Sequence, residues 1–201
     1  MAGSRHPVAT GRPGRPAAAS REDALAVGRS RFLAGERIDV QAIARELGLA
    51  RATMHRWFRT RELLIGEVLA ELGEERMRTM RSRTRGDGAK ALLDTFYAFN
   101  EELASSEGMR ALLVSETELG LRVLTDSSGV VQPRMVAAVQ ELIEEEIAAG
   151  YAPALAPDLL AYAIVRLAEA FFYNDAAAGV IGDLDKLRQI EAALLGLDPA
   201  S

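Results

Sequence analysis

The sequence contains no cysteine and only two histidines, His6 and His55. That excludes a disulfide framework, thiol catalysis and cysteine-based metal sites. There is no phosphate loop ending in Gly-Lys-Ser/Thr and no Gly-x-Ser-x-Gly elbow. The Asp and Glu residues are scattered without a partnered nucleophile, and carboxylates alone on solvated faces do not make a metal site. The expectation is a protein that is not an enzyme and carries no metal and no cofactor. Lysine is nearly absent, with two residues against 22 arginines, a bias that speaks of genome composition more than of chemistry. Long hydrophobic runs are missing too. The longest, Leu159–Val165, is far too short to span a bilayer. No apolar stretch follows the basic start, as a signal peptide would require. A cytoplasmic protein with no membrane partner is expected.

What is present is a large apolar fraction, 49% of 201 residues, enough for a substantial core in one large or two small domains. The net charge of −5 hides a division. Residues 1–65 hold 12 Arg against 6 acidic residues, while residues 66–201 hold 12 basic against 23 acidic residues. A basic head on an acidic body directs a polyanion to one end of the molecule. An unevenly charged solvated surface is the plain alternative, but the basic half coincides with a motif.

That motif occupies residues 39–64. Ile43, Leu47, Leu49, Met54 and Phe58 give two short helices a shared core. Ala44 is small enough for the helix axes to cross closely, and Gly48 stands where the first helix must stop, at a position suited to positive φ. The second helix then presents Arg51, Ala52, Thr53, His55 and Arg56 outward, as a helix entering a major groove does. An αα-hairpin without a ligand has the same outline. The agreement of spacing, small residue, glycine and exposed basic groups favours a helix-turn-helix.

The motif resembles the DNA-binding domain of the TetR family of bacterial repressors. Ile43, Ala44, Gly48, Thr53, Phe58 and Leu64 match the family pattern, and Leu49 and Met54 are conservative replacements. His55 stands where the family usually has a phosphate-contacting tyrosine, and Arg61 where it has a lysine. The resemblance implies an all-α, TetR-type fold: an N-terminal three-helix helix-turn-helix domain joined to a helical ligand-binding and dimerisation domain. It also implies a double-stranded DNA operator and a homodimer. The stretches Arg51–Phe58, Arg61–Val68 and Glu118–Thr125 are similar to a subgroup that represses lactone degradation. That implies a γ-lactone or acyl-homoserine lactone effector. An unrelated hydrophobic effector, or DNA binding with no effector, remains the alternative. DNA contacts are expected at Gln41, Arg51, Ala52, Thr53, His55, Arg56, Trp57 and Arg61. Thr53 and Arg56 should read bases; Gln41, His55, Trp57 and Arg61 should hold phosphates.

Along the chain, residues 1–19 are rich in Gly, Pro and Ala and lack periodicity. They read as a disordered basic arm. Within it Gly11-Arg12-Pro13-Gly14-Arg15-Pro16 resembles an AT-hook core, which would place Arg12 and Arg15 in a narrow minor groove; a flexible charged tail is the alternative. Ser20 with Asp23 is a variant capping box, so the helix-turn-helix domain is expected over 20–66. Residues 67–201 are the expected ligand-binding and dimerisation domain. A helix capped by Thr60 should run to about Arg85. Further helices are expected over 88–105, 107–115, 117–125, 132–149, 157–178 and 183–196. Pro133 suits the first turn of its helix.

Helix 157–178 is apolar nearly all round, which implies burial on most faces. With Leu187, Ile190, Leu194 and Leu195 it resembles the pair of helices that dimerise TetR proteins, with Leu160 and Leu194 at the contact; a central core helix is the alternative. Tyr162, Arg166, Glu169 and Tyr173 fall on one side of this helix. Phe96, Tyr97, Phe99 and Asn100 offer aromatic walls and an amide, and Glu116, Thr117 and Arg122 a second polar cluster. All of these except Tyr162 and Tyr97 make up the expected ligand-binding set, for a mostly apolar ligand with a small polar head. Core aromatics and a self-neutralising ion pair account for them without a ligand.

Overall fold

Ser20 caps the first described helix. Its hydroxyl accepts from the Asp23 N–H at 3.1 Å while the Asp23 carboxylate accepts from the Ser20 N–H at 2.7 Å, the reciprocal cap the sequence announces. The computed structural model describes residues 19–174 and 183–199. The expected arm, with Arg12 and Arg15, lies outside the described residues, as does the 175–178 end of the expected long helix.

The described residues form ten α-helices and no strand. The head is α1 (Arg21–Leu33), α2 (Val40–Glu46) and α3 (Arg51–Trp57). Asp39 caps α2 by accepting from Ala42 N–H at 2.7 Å. Gly48, at φ +63°, makes the turn into α3. Thr60 caps α4 (Arg61–Arg83), accepting from Leu63 N–H at 3.1 Å. The body follows as α5 (Gly88–Ser105), α6 (Glu107–Ser115), α7 (Thr117–Thr125), α8 (Val131–Ala148), α9 (Pro157–Glu169) and α10 (Leu184–Leu194). None of the described helices is long and apolar enough to cross a membrane.

One element differs from the sequence expectation in two ways. The α-helical part of the 157–178 span ends at Glu169 and becomes a single π-helical turn over Ala170–Asn174. Such turns are rare and cluster at functional sites; hydropathy periodicity does not register them. The same helix is also not apolar on every face. Leu160 and Ala161 are fully buried, whereas Leu159 and Tyr162 are about half exposed. Leu160 therefore belongs to the subunit's own core rather than to a contact face.

Buried residues form two clusters. One joins the head to the near end of the body, from Leu25, Ile43, Met54 and Phe58 through Leu64 and Val68 to Met109, Leu113 and Leu124. The other fills the far end around Leu92, Phe96, Ile143, Leu160 and Leu195. Helix α4 contributes to both, so the head–body connection is packed. Gly108 shows how closely. A Cβ there would stand 2.1 Å from the Phe32 carbonyl oxygen, so α6 lies directly against the C-terminal turn of α1.

Candidate DNA-binding surface and ligand cavity

The head's exposed face is built by α2 and α3. Met54 is fully buried and pins α3 to the head core, which leaves Arg51, Ala52, His55 and Arg56 exposed, with Gln41 exposed at the start of α2. Among the described residues, Arg45, Arg51, Arg56 and Arg59 have no carboxylate partner. Thr53 is half-buried at the edge of this face. Trp57 is also half-buried and packs against the head core, so only part of the indole can meet a backbone.

Arg61 is placed differently from the expectation of a phosphate contact. Its Nε donates to the Ile38 carbonyl at 2.5 Å and its terminal nitrogens donate to both Glu116 oxygens at 2.5 and 2.7 Å. A fork bound to a carboxylate in this way has little left for a phosphate. It acts as a latch, tying the loop before α2 to the start of α7. Glu116, with Arg61 and then Arg37 beside it, is held below the usual carboxylate range.

The latch corrects the ligand set. Glu116, Thr117 and Arg122 do not line the body cavity. Glu116 serves Arg61, Thr117 Oγ1 donates back to the Leu113 carbonyl at 2.6 Å, and Arg122 is exposed and pairs with Glu62 at 3.3 Å. Sequence spacing places the three on one short helix but cannot say which way that helix faces. Arg166 is likewise outside the cavity. It holds the Glu169 carboxylate from the solvent side at 2.6 Å and also reaches the Thr125 carbonyl at 3.4 Å.

The other expected residues do converge. Phe96, Phe99, Asn100, Glu169 and Tyr173 line one cavity of about 140 Å³ in the body. Phe32 and Leu33 of α1 and Met109 of α6 close its head end, and Phe172 and Tyr173 of the π turn close another side. Its size is close to that of engineered apolar cavities that admit benzene. Sequence reasoning missed two buried polar residues in its wall, Gln132 and Glu191, each at most 4% exposed, besides the less buried Arg76, Glu102 and Ser106. Glu191 had a legible signal: it interrupts the apolar stripe Leu187, Glu191, Leu195 on α10. Neither of its carboxylate oxygens has a hydrogen-bond partner. Burial pushes it up to about 8, against the modest opposing pull of Asn100 and Arg188. Burial also pushes Glu169 up to about 7, with Arg166 working the other way, and raises Tyr173 well above its ordinary value.

A three-helix head with an exposed cationic recognition helix, packed on a helical body that holds a largely apolar cavity, is the plan of a ligand-responsive DNA-binding regulator. The family model described as "Tetracyclin repressor-like, C-terminal domain" matches residues 87–196, and the chain belongs to this family of transcriptional regulators, which are not enzymes. Among solved structures it is similar to the TetR-family transcriptional repressor QsdR of R. erythropolis, with 28% identity, TM-score 0.82, and coverage of 89% of this chain and 95% of that one. It also shares its fold with the TetR-family repressor AlkX of Dietzia sp. strain DQ12-45-1b, implicated in n-alkane biodegradation. That match has 20% identity and TM-score 0.60, covering 92% of this chain and 98% of that one. FadR of Bacillus subtilis, solved with stearoyl-CoA, is similar at 15% identity and TM-score 0.53, over 88% and 97% of the two chains. A comparison with curated proteins found no match.

Proposed function

We propose that the protein is a cytoplasmic, homodimeric repressor. It reads a pseudo-palindromic operator with α3 and releases it when a small lactone, a γ-lactone or an acyl-homoserine lactone derivative, enters the body cavity. The observation that carries this reading is the cavity's position. Its wall runs from α1 of the head, through α4 and α6, to α9 and α10 of the body. A ligand that presses on the head end of this wall meets Phe32, and Phe32 cannot move independently of α6, because Gly108 sits against its carbonyl. The Arg61–Glu116 latch transmits the same displacement to the loop before α2. Two recognition helices bound to one duplex tolerate little change in separation, since the groove spacing is set by the DNA. The ligand need only prefer the DNA-incompetent arrangement, and its effect equals that difference in affinity.

The 20–66 head, with Gln41, Arg51, Ala52, Thr53, His55, Arg56 and part of Trp57 toward DNA, is supported by the exposure of that face. Arg12 and Arg15 of the arm would add a minor-groove contact. Dimerisation is supported by the apolar strip of Leu159, Tyr162 and Ile190 left uncovered on α9 and α10. Lactone as the effector class rests on the three stretches similar to the lactone-degradation subgroup, together with the likeness to QsdR. The small, largely apolar cavity suits a compact ring with a short alkyl tail better than a long acyl chain.

The test is to titrate γ-lactones and acyl-homoserine lactones into a preformed protein–operator complex, after selecting the operator from random duplexes. Release at micromolar lactone is expected. Release by an unrelated apolar compound and by none of the lactones would keep the regulator and remove the lactone.

A further inference from the structure

Glu191 stands out in the cavity wall. It is 1% exposed and lines the cavity together with Phe96, Ile164 and Val165; neither oxygen makes a hydrogen bond of normal geometry, although the Asn100 amide is close enough to favour its ionised form. An ionised carboxylate without a partner in such a place is very costly to bury, so the group is either neutral or answered by a ligand. The cations nearby are engaged. Arg188, one turn back on α10, pairs with Asp94 at 2.8 Å and lies over the Tyr97 ring at 4.9 Å. Arg166 holds Glu169, and Arg76 at the cavity wall pairs with Glu102 at 3.1 Å. Among the described residues lining the cavity there is thus no spare positive charge to receive an anion. The neutral polar groups beside Glu191 are the buried amides of Asn100 and Gln132.

We propose that Glu191 is the head-group selector of the cavity. As an uncharged carboxylic acid it donates a hydrogen bond to the carbonyl oxygen of a neutral ester-type ligand, while the lack of a free cation in the cavity wall turns away ligands that carry a carboxylate. A protonated carboxyl is a donor, and a buried one gives a strong hydrogen bond to a carbonyl in an apolar site. The push of burial on Glu191 keeps the proton in place near neutrality. This deepens the lactone reading and rests on it: the closed ring is the signal, and the ring-opened hydroxy acid, whose carboxylate would be desolvated with no free cation to answer it, is not.

The experiment is calorimetric titration of the purified full chain with γ-caprolactone, sodium 4-hydroxyhexanoate and hexylamine at pH 7. The wild type should bind the lactone at least ten-fold more tightly than the hydroxy acid salt. In Glu191→Gln, which keeps a donor to the carbonyl, lactone affinity should stay within a few-fold of wild type. In Glu191→Leu the lactone affinity should fall about ten-fold while the melting temperature rises, because an unpartnered acid leaves the core; the melting curves also establish that both variants fold. Lactone binding that is unchanged in Glu191→Leu overturns the proposal and leaves the lactone reading intact. So does equal binding of lactone and hydroxy acid by the wild type. Tighter binding of hexylamine than of lactone also overturns it, since Glu191 would then be acting as an anion. Failure of the wild type to bind the lactone at all removes the lactone reading itself, and this proposal with it.

Discussion

Arg56 leaves the head surface with no carboxylate to neutralise it, and nothing in the fold depends on it. Arg56→Ala should therefore keep the wild-type melting temperature, lose ~1–3 kcal/mol of operator binding and relax the preference at one base position. Binding measured across a set of operator variants checks this; equal weakening of every sequence would make Arg56 a phosphate contact. Glu191 and Glu169 set a different residue-scale expectation. Burial holds them at about 8 and about 7, above the ordinary carboxylate value near 4.3. The folded chain thus keeps protons that the unfolded chain has already released. Stability from these groups is complete below about pH 4 and is lost as pH rises through 7 and 8. For one such group the slope reaches up to about 1.4 kcal/mol per pH unit. Urea unfolding between pH 5 and 8.5 should show a decline that flattens in Glu191→Gln. An identical slope in that variant would mean that Glu191 is ionised in the folded protein.

At the scale of elements, α1 and α6 approach closely in the head–body connection. The contact depends on Gly108 having no side chain. Gly108→Ala must push α6 away from backbone, not from a flexible side chain. A loss of about 1–3 kcal/mol is expected, as for other overpacked sites. Because α6 also closes the cavity, operator affinity should change along with the melting temperature. A variant that melts lower but binds the operator and releases it as wild type would show that this contact is only structural. The far end of α4 illustrates a related point. Arg76, Arg78, Arg81, Arg83 and Arg85 make this end basic, and two of them are engaged within the fold. Arg76 is tied to Glu102, and Arg81 is drawn onto the buried Glu146, which also accepts from Gly88 N–H at 2.5 Å. This joins α4, α8 and the start of α5. Removing one partner of such a buried pair costs about 3–5 kcal/mol, so Glu146→Ala should melt well below wild type.

On the scale of the whole molecule, Leu159 and Tyr162 on α9 and Ile190 on α10 stay exposed when the subunit is complete. Leu159→Asp alters this strip without touching the core. It should yield a folded monomer by sedimentation velocity, with operator affinity reduced more than ten-fold because two half-sites are no longer bound together. A dimer of undiminished stability would move the interface elsewhere. Leu160→Asp is the contrast. Its side chain is fully buried, so it should fail to fold rather than dissociate.

The sequence by itself determined the local features. The caps at Ser20 and Thr60, the turn at Gly48, the helix-turn-helix and the bounds of most body helices all follow from interactions within a few residues or from apolar periodicity. The exposed face of α3 was legible for the same reason, since Met54 and Phe58 mark the buried side. The convergence of Phe96, Phe99, Asn100, Glu169 and Tyr173 was legible as a set of residue types, but not as a place. Only the tertiary structure decided which way α7 faces, and so moved Glu116, Thr117 and Arg122 out of the ligand set. It also turned Arg61 into a latch on a residue 55 positions away, placed Leu160 in the core, and left Glu191 facing a cavity without a partner. The physical reason is common to these cases. A helix's pattern reports that it has a buried side, whereas the identity of what covers that side depends on chain segments far apart in sequence.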